Sequence, residues 1–203
     1  MLHPRSLLSL VLSALSLCGF AQGKPSAQLT LFVGTYTEDS PSEGIYVFHF
    51  NQETGHFSLR SSVKAGNPSF VVLSPNGNRL YAVSEFNDGR QGAYSFDYNP
   101  KTGRLSTPCF VSTKAGDRLG DPENRPGSDP CNLYTDGHCL ITANYSGGDI
   151  SAFKLDKQGR LHGTAQQTRF SGRDSTAVSH IHCGLPTPDG KYFLATDLGN
   201  DRI

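Results

Sequence analysis

Two kinds of β-hairpin alternate along the chain, and this repeat restricts the possible folds more than any other feature. The first kind runs from a glycine through an alternating apolar strand to a second glycine, as in GIYVFHFNQETG, GAYSFDYNPKTG and GDISAFKLDKQG. The second kind joins two apolar strands through an Asn-Gly or Asp-Gly turn, with the glycines at Gly77, Gly137 and Gly190. Such turns favour tight hairpins because their central residues need positive φ. Period-two alternation with frequent turns predicts antiparallel sheets and excludes a helical solenoid.

The spacing of the turns gives the size of the repeating unit. Turn glycines recur after 60 and 53 residues in the second kind of hairpin, and after 48 and 56 residues in the first. One repeat is therefore two hairpins, or four strands, in about 50 residues, which is typical of a β-propeller blade. Two complete repeats cover roughly residues 56–106 and 104–162, with a partial repeat before them and a half repeat after them. The predicted fold class is all-β, a β-propeller of four-stranded antiparallel blades, about three and a half of which lie in this chain.

The number of repeats bears on whether the ring is complete. Propeller rings close with about four to eight blades, so three and a half blades cannot close one. The last hairpin would also present an unpaired strand edge. We therefore expect the chain to be the N-terminal part of a longer protein, and to be poorly soluble and inactive when it is expressed alone.

The first 23 residues differ in character from the rest. Arg5 is their only charged side chain, and it precedes the apolar run LLSLVLSALSLCGF and several small residues. This layout predicts a secretory signal peptide over residues 1–23, followed by a propeller domain over residues 24–203 that is exported to the periplasm or the medium. Lipidation of Cys18 is the less favoured alternative, because Leu17 is large where a lipoprotein signal needs a small residue.

Charge and composition bear on the possible partners. The 18 Lys and Arg residues balance 18 Asp and Glu residues, so no basic surface for nucleic acid is predicted. No apolar run after the leader is long enough to span a membrane. Four cysteines follow the leader in spacings that match no zinc motif, and both free thiols and disulfides remain open for an exported chain. These cysteines are Cys109, Cys131, Cys139 and Cys183.

One end of the predicted propeller collects polar residues. We call the first strand of each Asn-Gly or Asp-Gly hairpin the inner strand. The start of this strand and the end of the strand that follows it lie at the same end of the propeller, opposite the turns. The pairs predicted to meet there are Asn67 with Glu85, Pro130 with Asn144, and His180 with Asp197. Propellers place ligand sites at such a rim, where rigid strands carry variable loops.

Two histidines one residue apart, in SHIHC, are the strongest candidates for chemistry. Residues i and i+2 of a strand point the same way, so His180 and His182 can both face the channel while Ile181 turns into the blade. A histidine titrates near neutral pH and can take a proton from water. Glu85 can orient a histidine or act as another base, and Arg202 can hold an oxyanion, a carboxylate or a phosphate.

Each candidate also has a structural interpretation. Either histidine can be a hydrogen-bonded scaffold residue, and Asp197 can cap the turn DLGND. Arg202 can belong to a surface ion pair, and Asn144 can shape its loop. Zinc needs three or four ligands, and the histidine pair has no recognisable third one. No metal and no other cofactor is therefore predicted.

Several motifs resemble a known family. The segments LFVGTYT, NPSFVVLSPNGNRLYAVSE, CLITANYSGGDISAF and SHIHCGLPTPDGKYFLATDLGNDRI resemble the lactonase family of seven-bladed β-propellers, of the 6-phosphogluconolactonase and carboxymuconate cyclase type. The resemblance covers nearly the whole chain after the leader. It implies a seven-bladed ring in the full-length protein and metal-free hydrolysis of a sugar lactone, ideally 6-phosphoglucono-1,5-lactone.

Candidate residues for such a reaction fall into two sets. The catalytic candidates are His182, His180 and Glu85. The substrate-binding candidates are Arg202, Asp197 and Asn144. We expect the full-length protein to be a monomer that acts on a small sugar lactone.

The chain departs from the family pattern at two places. The stretch GRDSTAVSH lacks the Arg-Gln pair that the family often has before its histidines, and DRLGDPENRPGSD is inserted before Pro130. Together with the leader, these departures favour an aldonolactone other than the phosphorylated one. The alternative function is a non-catalytic propeller that binds a glycan or a protein partner at its rim, and a metal-dependent lactonase is a third.

Overall fold

The computed structural model describes residues 27–114, 127–174 and 176–203. The predicted signal peptide, with Cys18, and most of the inserted segment before Pro130 lie outside these residues. Fourteen strands in four antiparallel sheets make up the regular structure of the described part, where no helix occurs. Accordingly, none of the described residues belongs to a helix that could cross a membrane.

The sheets follow one another along the chain. The first contains β1 (Gln28–Val33), β2 (Gly44–Asn51) and β3 (Phe57–Lys64). The second contains β4 (Val71–Leu73), β5 (Arg79–Ser84), β6 (Gly92–Asn99), β7 (Arg104–Leu105) and β8 (Cys109–Ser112). The third contains β9 (Pro130–Thr135), β10 (Cys139–Asn144), β11 (Asp149–Leu155) and β12 (Leu161–Arg169), and the fourth is the hairpin of β13 (Ile181–Pro186) and β14 (Phe193–Asp197).

These sheets are propeller blades, which confirms the all-β fold class and the count of about three and a half blades. The predicted hairpin turns are also confirmed, because Gly77, Gly137 and Gly190 have φ angles of 72°, 89° and 68°. A residue with a side chain rarely adopts this conformation, whereas glycine adopts it without strain. The turns between inner strand and second strand therefore lie where the sequence predicts them.

The predicted boundaries of the repeats are wrong. Strand β3 pairs with β2, and β8 pairs with β6, so the complete blades span residues 71–112 and 130–169 rather than 56–106 and 104–162. The reason is that turn spacing gives the period of a repeat but not its phase. The outer strands belong to the blade before them because they pair back onto the strand they follow.

The core lies between the flat faces of neighbouring blades. Every residue of β5 is buried, and its side chains alternate between two clusters. Leu80 and Ala82 pack towards the first blade, with Ile45 and Phe96. Tyr81 and Val83 pack towards the third blade, in a cluster completed by Ala93, Leu133, Leu140, Phe153, Leu161 and Ala165. Period-two alternation thus joins three blades through one central strand.

Polar contacts join the second and third blades at the end with the Asn-Gly and Asp-Gly turns. The guanidinium of Arg79 is buried, its Nε donates to the carbonyl of Gln158 over 3.0 Å, and it also pairs with Asp97. The hydroxyl of Tyr81 donates to the carbonyl of Gly159 over 2.7 Å. These contacts fix the two blades relative to each other. The polar rim lies at the opposite end of the blades.

Candidate active site

The residues predicted to meet at the rim do meet there. The amide of Glu85 donates to the carbonyl of Asn67 over 3.1 Å, and Asn144 lies opposite Pro130 in the pairing of β10 with β9. At the fourth blade, the amide of His180 donates to the carboxylate of Asp197 over 2.9 Å. The start of each inner strand is thus tied to the end of its partner.

A chain of hydrogen bonds links three blades around this rim. The amide of Asp129 donates to the carbonyl of Phe86 over 2.8 Å, and the amide of Tyr145 donates to the carbonyl of Asp129 over 2.9 Å. The chain continues to the fourth blade, where Nδ1 of His180 lies 3.0 Å from the carbonyl oxygen of Tyr145. We call these four residues the rim chain. It fixes the position of the histidine pair relative to the second blade.

The ring of His180 is held in a defined state. A carbonyl oxygen can only accept, so Nδ1 must carry the proton and Nε2 holds the lone pair in the neutral ring. The ring stacks on that of Tyr145, with centroids 4.5 Å apart and an interplanar angle of 17°. Gly199 makes room for it, since a Cβ there would lie 2.8 Å from Cδ2 of His180. His180 is therefore a well-packed residue.

The ring of His182 is exposed and contacts Tyr145 edge-on, with centroids 5.7 Å apart and an interplanar angle of 90°. Both histidines therefore lie on the side of Tyr145, while Ile181 is 1% exposed within the blade. The pairing of β13 with β14 shifts between Ile181 and Cys183, so His182 sits in a bulge. No described residue forms a hydrogen bond to either ring nitrogen of His182. Its ring is free to bind water or substrate.

A cavity of about 570 Å³ opens beside His182. Its other lining residues are Thr196, Asp197, Leu198, Asp201, Arg202 and Ile203. The guanidinium of Arg202 donates to the carbonyl of Ser171, and its Nε lies 3.9 Å from the carboxylate of Asp197. The side chain remains 45% exposed. An imidazole and a guanidinium thus share one cavity.

The carboxylate of Asp197 is enclosed by donors. Only 4% of the residue is exposed, and it accepts hydrogen bonds from the Ser179 hydroxyl over 2.8 Å and from the His180 and Asn200 amides. Burial alone would raise the pKa of Asp197, but these hydrogen bonds outweigh burial and lower the pKa below its usual 3.8. Asp197 therefore stays ionised and anchors the start of β13. Its contacts indicate a role in positioning His180.

Asn144 is fully buried and its amide is occupied. The Nδ2 group donates to Ser151 over 2.8 Å and to Asp149, and Oδ1 accepts from the Thr142 hydroxyl over 2.9 Å. A substrate in the channel cannot reach this side chain without breaking the network. The geometry thus favours the scaffold interpretation of Asn144, which supports the turn that carries Tyr145.

Glu85 lies on the same rim but away from the histidines. Its Oε1 accepts from the Tyr36 hydroxyl over 3.0 Å, and its other oxygen accepts from the Ser69 hydroxyl. Within the described ranges, Glu85 contacts no histidine, so the structure does not show it orienting one. Tyr36 and Ser69 were absent from the sequence prediction. The available signals were that Tyr36 belongs to the motif LFVGTYT and that Ser69 belongs to the motif NPSFVVLSPNGNRLYAVSE, which ends at Glu85.

Cys131 lies between Glu85 and the histidine pair. Its Sγ is 3.6 Å from the carbonyl oxygen of His182. Burial, followed by the charges of Glu85 and Asp129, raises the pKa of Cys131 to about 11. The thiol is thus neutral at ordinary pH and a poor nucleophile. All four cysteines after the leader are free thiols.

Metal ligands of the usual kinds do not gather at the rim. Across residues 27–114, 127–174 and 176–203, no group of three or more His, Cys, Asp and Glu side chains is arranged to hold a metal ion. The chemistry that the rim offers comes from an imidazole, a guanidinium and a carboxylate. Such a set can activate water and stabilise a developing negative charge.

Comparison with curated proteins gives similar chains of about twice the length. A 6-phosphogluconolactonase of Formosa agariphila is 31% identical over 184 residues, and one of Bacillus subtilis is 29% identical over 178 residues. Each alignment covers 85% of this chain but only 48% or 47% of the relative. The chain therefore spans about half the length of the curated relatives it matches.

Solved structures and a family model give the same relationship. A Bacteroides fragilis protein provisionally named a 6-phosphogluconolactonase has a TM-score of 0.75 at 38% identity, covering 88% of this chain and 48% of its own. The periplasmic gluconolactonase of Pseudomonas aeruginosa has a TM-score of 0.70 at 29% identity, covering 85% and 48%. The model of the lactonase family, 7-bladed β-propellers, matches residues 30–203. With this match over most of its length and blades of the expected kind, the chain belongs to the lactonase family of seven-bladed β-propellers.

Proposed function

We propose that the full-length protein hydrolyses a sugar lactone at the cavity beside His182. The observation that carries this proposal is the exposed ring of His182, which has no hydrogen-bond partner among the described residues and shares its cavity with Arg202. The names of the 6-phosphogluconolactonase relatives support the same reaction class. The whole protein's activity is inferred from a chain that spans about half of those relatives.

The reaction needs a base, an oxyanion partner and an acid. His182 takes a proton from water while the water oxygen attacks the lactone carbonyl carbon, which forms a tetrahedral oxyanion. The guanidinium of Arg202 stabilises that charge. The bond between the carbonyl carbon and the ring oxygen then breaks, and the imidazolium of His182 returns its proton to the ring oxygen. The product is the open-chain acid.

His180 has a different role in this proposal. Its Nδ1–H is committed to the carbonyl of Tyr145, and its ring covers one face of Tyr145. The edge of the same tyrosine ring contacts His182. His180 thus positions His182 through Tyr145, and Asp197 supports His180 through its backbone amide. In this proposal the ring of His182 reacts, and the ring of His180 supports it.

The proposal extends to the compartment and the substrate. The predicted signal peptide indicates export, and the similar Pseudomonas aeruginosa protein is named a periplasmic gluconolactonase. An exported enzyme meets aldonolactones other than a cytoplasmic sugar phosphate. We also propose that the enzyme is a monomer. It needs no metal, because His182 activates the water, and activity retained after chelator treatment would support that assignment.

Hydrolysis assays on the full-length protein test the proposal. Glucono-1,5-lactone and related aldonolactones should be opened faster than in buffer, and His182→Ala should lower kcat about a hundredfold or more. His138→Ala is the matched control, because His138 is exposed at the turn end of the third blade. Wild-type rates equal to buffer would contradict the proposal. Ligand binding without turnover, unaffected by His180→Ala with His182→Ala, would instead indicate a non-catalytic propeller.

A further inference from the structure

Glu85 forms a small polar cluster with residues of two blades. Tyr36 reaches it from the segment after β1, and Ser69 reaches it from the segment before β4. A carboxylate offers about four acceptor positions, and the two hydroxyls use two of them. Tyr36 is 57% exposed, so its ring presents an accessible face beside the carboxylate. An aromatic face next to a charged acceptor suits a polyhydroxylated ligand, whose C–H groups pack on the ring while its hydroxyls donate.

The cluster lies on the same rim as the proposed reaction site. Cys131 contacts the carbonyl of His182, and the charge of Glu85 also acts on its thiol. The rim chain begins at Phe86, the neighbour of Glu85, and ends at His180. The Glu85 cluster and the proposed reaction site are therefore two parts of one rim, and both lie near Cys131.

The charges around Glu85 disfavour an anion. Residues 85–91 and 127–132 carry three carboxylates, Glu85, Asp88 and Asp129, and one guanidinium, Arg90. Arg90 is already bound to Asp88, with Nε 3.0 Å from Oδ1, and to Glu38. A phosphate brought to this sector would meet carboxylates with no free cation among the residues of these two segments. Repulsion from these carboxylates disfavours binding of a phosphate, whereas the hydroxyl groups of a neutral ligand can donate to the carboxylate oxygens.

We propose that Glu85, with Tyr36 and Ser69, binds the hydroxyl groups at the far end of an aldonolactone and selects against a phosphate there. This inference rests on the proposed lactonase function and assigns the substrate class of that site. It changes the role of Glu85 from a catalytic candidate to a specificity determinant. The unphosphorylated lactone is preferred because its terminal hydroxyl can donate to an acceptor position of Glu85 that Tyr36 and Ser69 leave open, whereas a phosphate there is repelled by the carboxylate.

Matched substrates test the inference on the full-length protein. The wild type should show a higher kcat/KM for glucono-1,5-lactone than for its 6-phosphate. Glu85→Gln should lower kcat/KM for the unphosphorylated lactone about tenfold or more, because a hydrogen bond to a charged acceptor is lost. The phosphorylated lactone should not suffer this loss, so the ratio of the two values should shift at least about tenfold.

Two further variants separate charge from folding. Glu43→Gln makes the same charge change at an exposed carboxylate that contacts Ser62 instead, and it should leave the ratio unchanged. Tyr36→Phe removes the hydroxyl that donates to Glu85 and helps to position it, but keeps the ring face and the carboxylate charge. It should weaken turnover of glucono-1,5-lactone while the discrimination against the phosphate remains. A ratio shifted equally by Glu43→Gln would overturn the inference.

Binding of the open-chain products distinguishes failure of this inference from failure of the proposed function. Calorimetry should show wild-type protein binding gluconate more tightly than 6-phosphogluconate, and Glu85→Gln should remove the difference. If no lactone is hydrolysed but this pattern holds, the subsite stands and the lactonase proposal fails. If lactones are hydrolysed but Glu85→Gln changes neither the rate ratio nor the binding difference, the subsite is wrong and the lactonase proposal stands.

Discussion

Nδ1 of His180 donates to the carbonyl oxygen of Tyr145 over 3.0 Å, and the ring of the same tyrosine lies against both histidines. One loop residue thus determines the tautomer of His180 and limits the motion of His182. The loop itself is held, because the Tyr145 amide donates to Asp129 over 2.9 Å. With one residue between them, both histidines can bring their rings against the same tyrosine.

Substitution of Tyr145 tests this arrangement. Tyr145→Leu removes the stacked and edge-on contacts, so we expect kcat for lactone hydrolysis to fall up to about tenfold while KM changes little. Tyr145→Phe keeps both ring contacts, and no hydrogen bond of the phenol is found in the described part of the chain. We expect Tyr145→Phe to retain kcat within about twofold. Equal losses in the two variants would place the effect in the phenol and contradict the packing argument.

Asn144 provides a test of scaffold against substrate binding. Asn144→Ala removes donors to Asp149 and Ser151 in a fully buried site, so we expect a loss of about 2 kcal/mol in the free energy of unfolding. Asn87→Ala, on the exposed rim, should cost no more than about 0.5 kcal/mol. Chemical denaturation of the full-length protein measures both. An Asn144→Ala variant of unchanged stability with a raised KM would favour the substrate-binding role instead.

Much of the fold was predictable because it depends on local signals. Turn glycines and period-two alternation determine which residues are strands and which residues turn, and these predictions are confirmed. The phase of the repeat was not predictable, because β3 and β8 are marked by the same alternation whichever blade they join. Pairing between strands is decided by tertiary contacts that a periodic pattern does not contain.

The candidate site, like the fold, was predictable only where it depends on local strand geometry. Strand geometry was enough to bring His180 and His182 to one end and to turn Ile181 inwards. It was not enough to distinguish Asn144, whose burial depends on Asp149 and Ser151 packing around it from the next strand. The partners of Glu85 come from two blades, so their contact follows from the twist and closure of the propeller rather than from any local motif.

The N-terminal segment gives a prediction about processing. Expression of the full-length gene in a bacterial host should yield an exported protein that begins near Lys24, as shown by mass spectrometry of the mature N-terminus. Cys18→Ser should leave export and processing unchanged, because cleavage by the ordinary signal peptidase does not need that thiol. Retention of the wild type in the membrane fraction, abolished in Cys18→Ser, would instead establish the lipoprotein alternative.

The carboxylate of Asp197 gives a prediction with a defined pH dependence. Its pKa in the folded state lies below the ordinary 3.8, so the ionised form stabilises the fold fully at pH values well above 3.8. This contribution is lost as the pH falls through the lowered pKa. Asp197→Asn should therefore reduce the free energy of unfolding by about 2 kcal/mol at pH 7, and by clearly less at pH 3.

Urea denaturation of the full-length wild type and of two variants measures this dependence. Asp201→Asn is the control, since Asp201 is an exposed carboxylate of the same loop, and it should change stability by no more than about 0.5 kcal/mol at either pH. A difference between wild type and Asp197→Asn that grows on acidification would show that the pKa of Asp197 is raised rather than lowered. That result would mean that burial outweighs the donors from Ser179, His180 and Asn200, and the anchoring of β13 by an ionised carboxylate would have to be abandoned.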